Sequence, residues 1–105
     1  MRRVWSESEC NLLVADYVEM LKAEVCGAEY SKAAHYRNLM PRLDRRKKGA
    51  IEFKHQNVSA VLDKLGFRYI EGYKPRRNHQ LLLKKIVQVE LRKHPTLARQ
   101  LSKPR

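Results

Sequence analysis

Glu52 and His55 stand three residues apart, the spacing that sets two side chains side by side on a helix. A carboxylate beside an imidazole can pass a proton, so acid–base chemistry would be sought here first. Nothing else in the chain joins the pair. His35, His79 and His94 are scattered, and His79 beside Asn78 lacks the strand-and-helix finger that an HNH-type metal nuclease requires. There is no glycine-rich phosphate loop and no nucleophile motif. Cys10 and Cys26, placed on one helix, would lie about 24 Å apart, too far for a disulfide, and no cysteine pair has metal spacing. A Glu–His pair on a helix is most often a solvated surface pair. The chain is therefore read as non-catalytic, without cofactor or metal.

A second chemistry is better represented. Arg45-Arg46-Lys47-Lys48 and Lys74-Pro75-Arg76-Arg77 bracket a stretch that carries Lys54, Gln56, Asn57 and Ser59. Cations hold phosphates, and neutral amides and hydroxyls read base edges. Four consecutive cations repel one another and gain when an anion arrives. The expected phosphate contacts are Arg45, Arg46, Lys47, Lys48, Lys74, Arg76 and Arg77. Lys54, Gln56, Asn57 and Ser59 are expected to face a groove, and Tyr73, next to Lys74, to stack on a base. Asn57 has a second reading, as a structural residue that holds a neighbouring turn.

Charge distribution agrees with an anionic partner. The net charge is +12. Residues 1–30 carry three basic side chains against six acidic ones, whereas residues 31–105 carry 20 against five. Such segregation points to a polyanion, with duplex DNA first and RNA also compatible. No apolar run approaches a membrane span, and the first residues lack the apolar centre of a signal peptide. The expected location is cytoplasmic, with no membrane partner.

The elements that must position these residues are helical. Ser6 and Glu9 have capping-box spacing, and Cys10, Leu13, Val14, Tyr17, Leu21 and Val25 then line one face up to Gly27. Ser31 can cap a second helix with Ala34, Tyr36, Leu39 and Met40 buried, interrupted at Pro41. The central helix, between Gly49 and Gly66, has an apolar stripe at Ile51, Val58, Val61, Leu62 and Leu65. Glu52, His55, Gln56, Ser59 and Asp63 are assigned to its wet side, bordered by Lys54 and Asn57. Residues 67–73 alternate as a short extended segment would. Asn78 can cap a helix over 79–93, whose wide stripe from Leu81 to Leu91 suits a dimer or a protein partner. A last turn over 96–101 precedes a basic tail, Ser102 to Arg105, expected to be disordered.

Several strings also carry a resemblance: Trp5 with Glu7 and Glu9, Tyr30-Ser31-Lys32-Ala33, Ile51 to Leu62, and Tyr69-Ile70-Glu71-Gly72-Tyr73-Lys74-Pro75-Arg76. Together they resemble the N-terminal head domain of McrA-type modification-dependent restriction endonucleases. The opening Trp-Ser-Glu-Ser-Glu is also similar, more weakly, to Myb/SANT-type helix-turn-helix units. The resemblance implies association with bacterial restriction or defence and a nuclease partner, and it carries over no catalytic residue. The expectation is one all-α module over residues 1–101, a helix-turn-helix-like bundle of four to five helices with or without a short wing. It binds DNA, or alternatively docks on a nuclease, dimerises, or binds RNA.

Overall fold

The first helix, α1, spans Glu7–Val25, and its start is built as the spacing predicts. The Ser6 hydroxyl accepts from the Glu9 N–H, and the Glu9 carboxylate accepts from the Ser6 N–H, each at 3.1 Å. Such a cap contributes about 1 kcal/mol. Gly27, at φ +73°, takes the left-handed conformation that closes the helix. Cys10, Leu13, Val14, Tyr17 and Leu21 are buried, while Cys26 is exposed and both thiols are free. A computed structural model of the chain describes residues 4–77 and 80–102. Asn78, expected as a cap, His79, and the tail from Lys103 lie outside the described residues.

The second helix, α2, spans Lys32–Leu39 and is capped by the Ser31 hydroxyl, which accepts from the Ala34 N–H at 3.1 Å. Pro41 then forces the chain into a 3-10 turn over Met40–Arg42. Leu39 and Leu43 are buried there, but Met40, expected inside, is 40% exposed. The third helix, α3, spans Lys48–Lys64 and inserts Ile51, Val58 and Leu62 into the core, and Gly66 at φ +87° ends it. The fourth, α4, spans Leu81–Arg92, with Leu83, Ile86, Val87 and Leu91 buried. The expected last turn is a full short helix, α5, over Pro95–Leu101, and it tucks Leu97 and Leu101 under the bundle. α1 packs against both α3 and α4, which also pack on each other.

The extended wing is not there. Among the described residues there is no strand, and Phe67 makes only an isolated bridge to Ser102. The segment instead wraps onto the bundle. Arg68 N–H donates to the Leu101 carbonyl at 2.8 Å, and Tyr73 N–H donates to the Ile70 carbonyl at 3.0 Å, closing a turn. Ile70 is fully buried, and its N–H donates to the Tyr17 hydroxyl at 2.9 Å. Alternating aromatics here mark anchoring points of a loop, not the two faces of a strand. The fold is all-α, with five helices among the described residues.

Candidate nucleic-acid interface

The first basic cluster divides in two. Arg45 takes the left-handed conformation at φ +52°, and the chain beyond it carries Arg46 inward. Arg46 Nε donates to Glu9 Oε2 at 3.0 Å, Nη2 donates to Glu9 Oε1 at 2.9 Å, and Nη2 also reaches the Val4 carbonyl at 3.0 Å. The guanidinium stacks 4.5 Å from the Trp5 ring centroid. With Arg46 beside it, and the Asp44 and Ser6 N–H groups donating to it, the Glu9 carboxyl is held down at about pKa 2 despite its burial. This paired, buried side chain has no reach to a phosphate, which corrects its predicted role. Arg45, Lys47 and Lys48 are exposed.

The polar residues of α3 are the larger correction. Lys54, His55, Asn57 and Ser59 are all buried, at 6%, 2%, 3% and 0% exposure. Lys54 Nζ donates to Gln80 Oε1 and lies 5.5 Å from the Trp5 ring, and burial pushes its pKa down. The Ser59 hydroxyl shares a 2.7 Å hydrogen bond with Tyr17, whose own pKa burial drives up. Asn57 Nδ2 donates to the Arg76 carbonyl at 2.8 Å and to that of Arg77 at 3.4 Å. Of its two readings, the structural one holds. Lys54, Asn57 and Ser59 therefore face no groove.

The helix spacing explains the error. His55 lies four residues after Ile51 and three before Val58, and Ser59 lies three before Leu62. Both sit inside the apolar ladder rather than opposite it. A wheel centred on Ile51, Val58 and Leu62 would have placed them inward. Tyr73, expected to stack on bases, is 5% exposed and packs on the His55 ring at 4.9 Å between centroids. That too is a correction: the turn that the Tyr73 N–H closes on the Ile70 carbonyl carries the ring into the core.

The outward stripe of α3 is different from the predicted one: Gly49, Phe53, Gln56, Ala60 and Lys64, at steps of three or four. Phe53, absent from the expected site, is 45% exposed. Gln56 is half-buried at the edge of this stripe, and its carbonyl accepts from the Arg76 N–H at 3.0 Å. The Arg76 guanidinium lies 5.5 Å from the Phe53 ring. The second cluster, with Lys74, Arg76 and Arg77 exposed, is thus tied to the middle of α3. Its anchor point, the Gln56 carbonyl, is eight residues and so about 12 Å along the helix from Lys48. Beyond Ala60, an open groove of about 510 Å³ between α3 and α4 is rimmed by Lys64, Arg77 and Lys84, with Leu81 at its edge. Lys64 and Lys84 add cations beside Arg77 on this rim, and Asp63 adds one acid.

The Glu52–His55 pair does not form on the surface. His55 is turned to α1, with Nε2 3.4 Å from Asp16 Oδ2, while Glu52 stays exposed. Asp16 Oδ1 is held by His35 Nδ1 at 2.6 Å. Among the described residues no group of His, Cys, Asp or Glu is gathered so as to hold a metal ion. Comparison with known protein families, with curated proteins and with solved structures finds no match.

Proposed function

We propose that this chain is a non-catalytic module that binds duplex DNA along the outward stripe of α3. The observation that carries the reading is the tether between α3 and the 74–77 loop. Through Asn57 and Gln56 it puts the second cluster beside the same helix whose N-terminus bears Lys47 and Lys48. Arg45, Lys47, Lys48, Lys74, Arg76 and Arg77 then hold phosphates on either side of the helix. An α-helix fits the major groove of B-DNA, and the small residues Gly49, Ala50 and Ala60 permit close approach. Gln56 is the one amide on the stripe, and Phe53 supplies an apolar contact of the kind that suits a thymine methyl group. Association with a restriction or defence nuclease rests on the sequence resemblance.

A binding titration against salt tests this. Neutralising about five phosphates gives a slope of log K on log salt near about −4.5. A flat titration between low and physiological salt removes the reading. Duplex RNA of equal length serves as competitor, and equal competition would make the module an RNA binder.

A second reading has its own observation. Leu81 and Val89, 76% and 47% exposed, lie two turns apart on one side of α4. An apolar pair so exposed suits a second copy or a nuclease partner. Sedimentation across a concentration series distinguishes this: a mass that rises with concentration, with no DNA retained at physiological salt, favours it. No described helix is long and apolar enough to cross a membrane.

A further inference from the structure

Arg76 has both of its backbone polar groups fastened to α3. Its N–H donates to the Gln56 carbonyl at 3.0 Å, and its own carbonyl accepts from Asn57 Nδ2 at 2.8 Å. Asn57 reaches the Arg77 carbonyl as well, and so places the chain beyond. The Arg76 side chain is exposed, and its guanidinium carbon lies 5.5 Å from the centroid of the Phe53 ring. That is within cation–π reach. Phe53 is 45% exposed on the outward stripe, one turn before Gln56. Among the described cations of the two basic clusters, Arg76 alone lies over a ring of that stripe. Arg46 lies over Trp5 and Lys48 faces Tyr36.

The fork at the end of this side chain is unspent. Among the described residues no carboxylate or carbonyl accepts from the Arg76 guanidinium, so all its N–H donors remain available. Arg46 is the contrast, since its guanidinium is bound to Glu9 and to the Val4 carbonyl. A phosphate contact asks for charge and little direction, which the other exposed cations of the clusters supply. A base edge asks for a planar fork held in one direction. Arginine gives two parallel hydrogen bonds to O6 and N7 of guanine, the commonest specific contact in the major groove. A tethered backbone and an aromatic shelf limit where the Arg76 fork can point before a duplex arrives, which lowers the ordering cost of such a contact.

We propose that Arg76 reads a guanine base in the major groove instead of holding a phosphate, and so makes the module specific for duplexes that carry a G·C pair at one position. The inference rests on the duplex reading and refines it. Arg45, Lys47, Lys48, Lys74 and Arg77 are left for the backbone, which matches the roughly five phosphates behind the expected salt slope. Phe53 acts as a positioning residue for the fork, beside any contact of its own.

The test starts from a randomised duplex pool, from which the wild-type chain should enrich sites that share a G·C pair. Arg76→Ala should reduce the preference for that pair by about tenfold or more while the salt slope stays unchanged. Arg77→Ala serves as the phosphate control: it should weaken all sequences alike and make the slope shallower by about 0.9. A third arm leaves the protein untouched. Replacing the selected guanine by 7-deazaguanine keeps its pairing and removes the N7 acceptor, and should weaken the wild-type chain but not Arg76→Ala. The proposal is overturned if the pool yields no shared G·C pair, if Arg76→Ala behaves like the control or keeps the wild-type preference, or if 7-deazaguanine leaves wild-type affinity unchanged. In each of those cases salt-dependent binding persists and the duplex reading stands. A flat wild-type salt titration removes the duplex reading, and this inference with it.

Discussion

The side-chain amide of Asn57 donates to the Arg76 carbonyl oxygen at 2.8 Å and so fastens a basic loop to the middle of α3. That bond turns an expected reader of bases into a positioning residue. It separates two neighbours on the helix: Asn57, 3% exposed, holds the loop, and Gln56, half-buried, borders the outward stripe.

Asn57→Ala removes both donations and leaves the Arg76 carbonyl short of a partner, a loss of about 1–3 kcal/mol in stability. Affinity should fall for all duplex sequences alike, because the loop loses its placement rather than its chemistry. Gln56→Ala should leave the unfolding midpoint within about 0.5 kcal/mol and change the preference between sequences. Denaturant melts and a gel-shift panel measure the two effects side by side. Equal loss across sequences for Gln56→Ala would refute its assignment.

Arg46→Ala breaks a buried, bidentate pair and strands the Glu9 carboxylate, a loss of about 3–5 kcal/mol. The pH dependence has a definite sign. The folded value of Glu9, about 2, lies below the ordinary 4.5. Its contribution is therefore fully present above about pH 5 and fades as pH falls through 4.5 towards 2. Glu9→Gln should flatten that part of the stability–pH curve. Urea unfolding at several pH values between 2 and 7 reads the difference.

Arg45 occupies a left-handed backbone position that only glycine takes freely. Arg45→Gly should relieve about 1 kcal/mol of strain and remove one phosphate contact. The salt slope should become shallower by about 0.9, which a duplex titration across salt reads. An unchanged slope would remove Arg45 from the phosphate contacts.

Lys54 is a buried cation held by Gln80 and the Trp5 ring, with no carboxylate among the described residues bonded to it. Burial sets its folded pKa below the ordinary 10.5. The unfolded chain then binds the proton more tightly, and stability should rise as pH climbs towards 10.5. Lys54→Met should cancel that rise and keep the fold within about 1.5 kcal/mol at neutral pH. It should leave DNA affinity nearly unchanged, which is the opposite of what a groove-facing lysine would do.

The helices were legible in the chain because their signals are local. Ser6 and Glu9 announce a cap, Gly27 and Gly66 announce left-handed ends, and Pro41 stops α2, each through the geometry of one turn. Charge segregation was legible too, as it needs only counting. What the order of residues did not disclose is which partner each polar group finds. Arg46 meets Glu9 across 37 residues, Asn57 meets Arg76 across 19, and Tyr17 meets Ser59 across 42. A lysine or an amide carries the same side chain whether it faces water or a carbonyl. Ser59 already lay on the apolar ladder of α3, but only the packing of Trp5, Gln80 and the 74–77 loop against that helix decided that Lys54 and Asn57 turn inward. Burial of a polar group is settled by distant parts of the chain that supply its bonds, and tertiary structure alone brings them together.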